Sequence, residues 1–211
     1  MIKVLIADDH PIVRAGLKQV IEKSPDMKVA GEALNGQEVL ESVSRERWDI
    51  VILDFSMPGR SGLDVIKEIR RERPSLPILV LSMHPEAELA PRLLKAGVAG
   101  YLMKESATTE LVNAIRRIHS GGRYVSPALA EKLAGDLAIA TGKQRHELLS
   151  DREYQVLLFI AEGRTAQEIA MELSLSIKTV RTYRDRVMEK LSLKNDVELS
   201  HYVTEHRLVA R

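Results

Sequence analysis

The sequence predicts an α/β fold: a doubly wound, five-stranded parallel sheet over residues 1-120, followed after a linker by a small all-α domain of four helices over residues 148-211. Three observations carry this. Five short apolar runs, mostly of β-branched residues, each precede a segment of helical period within the first 120 residues. Strands and helices that alternate in this way build a parallel sheet with helices on both faces. Beyond Leu149, polar caps at Ser150, Thr165, Ser176 and Asn195 open four helices in turn.

Taken in order, Val4-Leu5-Ile6-Ala7 is a buried strand that ends in Asp8-Asp9. The helix after it places Ile12/Val13, Gly16/Leu17 and Val20/Ile21 on one face, and Ser24-Pro25-Asp26 closes it. Val29 to Ala33 is an edge strand. Asn35-Gly36-Gln37-Glu38 then opens a helix with a polar cap and a glutamate three residues on. Ile50-Val51-Ile52-Leu53 is the third strand, and Asp54 follows where it leaves the sheet. Pro58-Gly59 forces a turn, so the loop is short. Leu63, Ile66 and Ile69 line the next helix, and Ile78 to Ser82 is the fourth strand. Proline lacks an N–H and clashes inside a helix, so Pro91 is expected in the first turn of a short helix, with His84 to Ala90 partly loop. Gly100 to Lys104 is the fifth strand, and Ser106 caps a helix with Leu111, Val112, Ile115 and Ile118 inward.

Composition narrows the chemistry. With no cysteine, disulfides, iron–sulfur clusters and thiolate zinc sites are excluded. The six histidines lack the i, i+4 spacing of a helical metal pair. No apolar run approaches the roughly 18 residues of a membrane helix. Met1-Ile2-Lys3-Val4-Leu5-Ile6-Ala7-Asp8 is too short and too soon acidic for a signal peptide. A cytoplasmic protein with no membrane partner is the expectation. The net charge of +1 averages two unlike halves.

The polar residues at the strand ends matter together. Asp8 and Asp9 end the first strand, Asp54 the third, Ser82 the fourth and Lys104 the fifth, so all face one crevice beyond the carboxyl edge of the sheet. Carboxylates that close repel one another unless a cation joins them. Carboxylates, water and a phosphate oxygen are ligands that Mg²⁺ prefers, while a lysine and a hydroxyl suit a bound phosphoryl group. The constellation points to magnesium-dependent phosphoryl transfer to a carboxylate. On Asp54 alone, a loop aspartate capping the next helix is an equal reading.

The acidic pair, Asp54 in its Leu-Asp-x-x-Met-Pro-Gly setting, Ser82 and Tyr101-x-x-Lys104 resemble the flavodoxin-like receiver domain of two-component response regulators over residues 2 to 120. The resemblance implies Asp54 as phospho-acceptor and Mg²⁺ held by Asp8, Asp9, Asp54 and the backbone carbonyl of Ser56, with Asp8 acting mainly through water. It also implies that Ser82 and Lys104 bind the phosphoryl group and that Tyr101 changes position with Ser82.

Between the halves, residues 121-147 read as a linker. Ser126-Pro127 starts a helix through about Ala140, and Thr141 to His146 is a polar, glycine-containing stretch. In the second half Val156 to Ala161 is apolar nearly all round, and the long helix after Ser176 has a seam of Val180, Tyr183, Val187 and Leu191. Its other face carries Lys178, Arg181, Arg184, Arg186 and Lys190, with Lys194 just past the end. A basic helix of this kind fits a helix-turn-helix entering the major groove, although bare basic helices are also common on solvated surfaces. Residues 149 to 203 resemble the LuxR-type DNA-binding domain in Leu149-Ser150-x-Arg152-Glu153, Ala161-Glu162-Gly163, Glu168-Ile169-Ala170 and Ser176-x-Lys178-Thr179-Val180-Arg181. The whole chain thus looks like a NarL/FixJ-type response regulator.

The DNA-binding candidates are Lys178, Thr179, Arg181, Thr182, Arg184, Asp185 and Lys194. Asp185 stands where the family often has a basic residue, and it either orients Arg181 or accepts from a cytosine amino group. The resemblance implies a sensor histidine kinase as phosphodonor, promoter DNA as target and a homodimer when phosphorylated. Two rivals stand beside this reading. A haloacid-type phosphatase needs a second acid two residues past its nucleophile, and that position is Ser56 here. A protein–protein module whose helix-turn-helix never meets DNA would show no steep salt dependence of DNA affinity.

Overall fold

A computed structural model describes residues 1–84, 86–127, 129–131, 145–173, 175–206 and 208. The chain divides into two units, Met1–Leu133 and Ala134–Arg211. In the first, strands and helices alternate as β1 (Ile2–Ala7), α1 (Pro11–Glu22), β2 (Met27–Ala33), α2 (Gly36–Arg45), β3 (Ile50–Asp54), α3 (Gly62–Glu72), β4 (Ile78–Ser82), α4 (Glu86–Lys95), β5 (Gly100–Met103) and α5 (Ala107–His119). The strand order is β2-β1-β3-β4-β5, and every neighbouring pair is parallel. The winding reverses between β1 and β3, which opens a crevice beyond their carboxyl ends. β3 and β4 are buried along their whole length, which is why both read as unbroken apolar runs.

Three local expectations are corrected. α1 turns Val13, Leu17, Val20 and Ile21 to the core, whereas Ile12 is 88% exposed. Pro91 lies inside α4 rather than at its first turn, and the helix begins at Glu86. Burial of Leu89, Ala90 and Leu93, none more than 2% exposed, outweighs the roughly 3 kcal/mol a proline costs there. Ser106 makes no side-chain cap to α5, because a tight turn over Lys104–Ser106 places it in helical backbone already. The edge of β5 is extended by one bridge from Tyr124 to Gly100. A side chain at Gly100 would meet Tyr124 O at 2.8 Å and Ile118 Cδ1 at 2.9 Å, so this close approach requires glycine.

The second unit holds a tight turn over Arg145–Leu148 and then α6 (Asp151–Ala161), α7 (Ala166–Glu172), α8 (Ile177–Leu191) and α9 (Asp196–Glu205). Ser150 and Thr165 form reciprocal capping boxes with Glu153 and Glu168. Ser176 and Asn195 each accept the N–H three residues on. Val156, Ile169, Leu173 and Val180 meet in one core. Arg145 and His146, read from the sequence as linker, belong to this unit. His146 is 3% exposed, with Nδ1 3.1 Å from the Tyr202 hydroxyl. Of the expected linker helix, residues 127 and 129–131 are helical; the rest, through Ala140, lies outside the described residues.

Candidate functional site

β1, β3 and β5 deliver their terminal side chains to the crevice, because parallel strands in register end at one edge. Lys104 Nζ lies 2.7 Å from Asp54 Oδ2 and 2.8 Å from Asp8 Oδ2. Ligand atoms of Asp8, Asp9, His10 and Asp54 all lie within 4.8 Å of one another. Three carboxylates thus share one small volume, and the side chains of Asp8 and Asp54 are each only 1% exposed. Burial pushes the Asp54 carboxyl above the usual aspartate range, partly offset by Lys104. For Lys104, burial disfavours the charge, but Asp54 and Asp8 overcome it and the ammonium is held above its ordinary value.

The Lys104 charge does not satisfy the whole cluster. Asp8 Oδ2 accepts no well-directed hydrogen bond even though the ammonium is near, and the buried Asp9 Oδ1 accepts none either. His10 Nδ1 stands 3.0 Å from Asp9 Oδ1 and 3.3 Å from Asp8 Oδ1. Buried anionic oxygens short of donors fit a divalent cation held by carboxylates. The Ser56 N–H donates to Asp54 Oδ1 at 3.1 Å, which fixes the carboxylate's orientation.

Ser82 and Tyr101 are tied to one loop residue. Ser82 Oγ accepts the His84 N–H at 3.0 Å, and the Tyr101 hydroxyl donates to the His84 carbonyl at 2.7 Å. Tyr101, which the resemblance implies changes position with Ser82, is fully buried here, because that carbonyl gives its hydroxyl a partner inside. Burial drives its phenol pKa well up.

Two residues at this site were missed in the sequence. His10 adjoins the acid pair. Arg14, one turn into α1, donates from NH1 to the Asp8 carbonyl at 2.9 Å and pairs with Glu32 at 3.3 Å. The signal for Arg14 was its helical spacing from Asp9-His10, which a search for anionic ligands passes over.

In the second unit, Lys178, Arg181, Thr182 and Asp185 are exposed on α8, and Lys194 is exposed just beyond it. Thr179 is half-buried, with its hydroxyl 2.7 Å from Ser176 Oγ at the helix start. Arg184 is turned to its own unit: NH2 lies 2.7 Å from Asp196 Oδ1. Asp185 pairs with Arg184 at 3.6 Å, not with Arg181 as one sequence reading had it. Lys190 is likewise engaged, 2.6 Å from Glu153 Oε2. A groove of about 400 Å³ runs beside α8, bounded by Arg164, Thr165, Arg181, Arg184 and Asp196. Arg164 and Arg184 are neutralised by Glu172 and Asp196, which leaves Arg181 as its outward cation.

Comparison with known proteins assigns both units. Residues 4–116 match the model of the response regulator receiver domain, and residues 147–203 match that of the bacterial regulatory proteins of the luxR family. The chain is a response regulator. It is 39% identical over 209 residues to the response regulator UvrY of Escherichia coli K12, covering 99% of this chain and 96% of the relative. It is 38% identical over 213 residues to the response regulator GacA of Pseudomonas aeruginosa, covering 99% and 98%. Among solved structures it resembles the RcsB response regulator of Salmonella typhimurium with a TM-score of 0.77, 31% identity and coverage of 99% and 98%. RcsB bound to promoter rprA in the presence of phosphomimetic BeF3- gives a TM-score of 0.72 at 32% identity, covering 97% and 99%. Response regulators of this family are transcription regulators rather than enzymes in the ordinary sense, and their receivers bind Mg²⁺ at an acidic pocket. Among the described residues of this response regulator, no helix is long and apolar enough to cross a membrane.

Proposed function

We propose that this response regulator accepts a phosphoryl group on Asp54 from a sensor histidine kinase and thereby changes the affinity of its second unit for promoter DNA. The observation that carries the reading is Lys104 Nζ within 2.8 Å of both Asp54 and Asp8 at the mouth of a buried carboxylate cluster. Asp54 Oδ attacks phosphorus as the P–N bond of the donor's phosphohistidine breaks; the bonding pair returns to the ring nitrogen, and the donor's imidazole is the leaving group. The Lys104 ammonium then shifts its ion pair from the carboxylate to a phosphoryl oxygen, and the Ser82 hydroxyl leaves the His84 N–H to donate to the same group. Asp8, Asp9, Asp54 and the Ser56 carbonyl would hold Mg²⁺, which when bound would neutralise charge at the phosphoryl oxygens. Self-phosphorylation from small donors and slow self-dephosphorylation belong to the same chemistry.

On the DNA side, Arg181 reads base edges with Thr182 beside it, while Lys178 and Lys194 contact phosphates. Thr179, Arg184 and Asp185 position the helix through their own contacts. The phosphorylated form is a homodimer acting in the cytoplasm. RcsB, with promoter DNA and a phosphomimetic in one structure, supports this order of events. The test is DNA affinity of the full chain with and without Mg²⁺ and beryllofluoride. The expected result is tighter binding for wild type and no change for Asp54→Asn; equal affinities for wild type in both states would overturn the reading.

A further inference from the structure

After α5 the chain runs along the open edge of β5. The Tyr101 N–H donates to Tyr124 O at 2.9 Å, and the Tyr124 N–H donates to Ala99 O at 3.0 Å. Two residues on, Ser126 begins the exit helix, described at residues 127 and 129–131. Its hydroxyl accepts the Leu129 N–H at 3.1 Å, as a helix N-cap does. In a capping box the residue at that third position returns a carboxylate to the cap's own N–H. Leu129 has none to return, and it is buried at 2% exposure. The acceptor comes from α4 instead: Glu86 Oε1 accepts the Ser126 N–H at 2.8 Å, from 40 residues away. The capping box of the exit helix is therefore split between two elements.

The place of Glu86 in the chain gives this contact a consequence. It lies four residues past Ser82 and two past His84. Ser82 Oγ accepts the His84 N–H, and the His84 carbonyl accepts the Tyr101 hydroxyl. Tyr101 in turn pairs its backbone with Tyr124, on the way to Ser126. The three side-chain contacts just beyond β4 thus reach the crevice hydroxyl, the buried tyrosine and the start of the exit helix.

We propose that Glu86 couples the state of the Asp54 site to the exit helix, holding the Ser126 cap while Ser82 is bonded to His84 and releasing it when Ser82 turns to the phosphoryl group. The proposal rests on Asp54 being the phospho-acceptor. A displacement of Glu86 by about one ångström is enough to break a bond of this length. The N–H to carboxylate bond is charge-assisted, so its loss opens the helix start by roughly tenfold. A helix with an unsatisfied first turn frays from that end.

The experiment is site-resolved amide hydrogen exchange on the full chain, paired with DNA affinity, with and without Mg²⁺ and beryllofluoride. In wild type the phosphoryl analogue should alter exchange at His84 and speed it about tenfold at Ser126 and Leu129. Glu86→Ala should show the fast exchange without the analogue, and its DNA affinity should then lie near that of analogue-bound wild type. Glu86→Gln keeps an acceptor oxygen and should stay close to wild type, which separates the lost bond from the lost charge. A response at His84 with none at Ser126 overturns the coupling and leaves the phospho-acceptor reading standing. Free exchange at Ser126 in Glu86→Ala, with the wild-type ratio of DNA affinities retained, also overturns it. No response at either residue overturns the phospho-acceptor reading, and the coupling with it.

Discussion

Replacing Lys104 by methionine keeps most of the side chain's length and removes the charge that lies 2.7 Å from Asp54 and 2.8 Å from Asp8. Breaking a buried pair from one side leaves the other charge uncompensated and costs roughly 3–5 kcal/mol. Here two carboxylates are left behind, but Asp54 can take up a proton, so we expect about 3 kcal/mol at pH 7.5 without metal. The pH dependence has a definite sign. The Asp54 carboxyl is already raised by burial, and loss of Lys104 raises it further. Its unfavourable contribution is absent where both folded and unfolded states are protonated, and it grows as pH climbs from the ordinary aspartate range through the folded value. The penalty of Lys104→Met should therefore shrink toward acid pH. Mg²⁺ at a hundredfold excess over the variant's Kd restores about 2.7 kcal/mol, and wild type at the same Mg²⁺ concentration should gain less, because Lys104 already supplies a cation. Urea unfolding followed by Trp48 fluorescence measures this, because the single tryptophan lies in the first unit and reports on it. A variant within about 0.5 kcal/mol of wild type at pH 7.5, a size typical of ordinary surface changes, would refute the reasoning. So would a Mg²⁺ gain equal in the two proteins.

Other expectations follow from the same geometry. A Cβ at Gly62 would meet the Phe55 carbonyl oxygen at 2.7 Å; Gly62→Ala should cost about 1–3 kcal/mol by overpacking and slow phosphoryl uptake on the adjacent Asp54, measured by urea unfolding and by a phosphorylation time course. Arg181→Ala should cost on the order of 1–3 kcal/mol at the operator and relax base preference at one position. Lys178→Ala or Lys194→Ala should instead weaken binding to all sequences and lower the salt slope by about one unit; competition over every operator base at several salt concentrations separates the two behaviours. Ser56 and His84 offer no carboxylate or amide to orient an attacking water, so the acyl phosphate should be long-lived, and label loss as fast in a Ser56→Ala, His84→Ala double variant as in wild type would remove both from the account.

Much of the architecture was legible because single elements settled it. β3 and β4 are continuous apolar runs, and only burial on both faces tolerates that. The caps Asn35, Ser150, Thr165, Ser176 and Asn195 all accept the N–H three residues on. The convergence of Asp8, Asp54 and Lys104 followed from parallel strands ending at one edge. What escaped depends on contacts between elements. Ile12 and Val13 are adjacent apolar residues, and only the packing of α1 decides which turns inward. Propensity placed Pro91 at a helix start, and burial of its neighbours overrode it. Tyr101 could not be placed inside before the His84 carbonyl was known to meet its hydroxyl. The pairing of Arg184 with Asp196, 12 residues away, was likewise invisible in the sequence. The Glu86 to Ser126 bond joins residues with no shared motif.

The central claim is that the buried carboxylate of Asp54 is where the phosphoryl group lands. Intact-mass measurement of the full chain after treatment with acetyl phosphate and Mg²⁺, with hydroxylamine cleavage to locate the acyl phosphate, tests it most directly. The account predicts one added phosphoryl group on wild type, labile to hydroxylamine, mapped to the peptide containing Asp54, absent without Mg²⁺ and absent in Asp54→Asn. A phosphoryl group that persists undiminished in Asp54→Asn, or a wild-type chain that never acquires one, would contradict it.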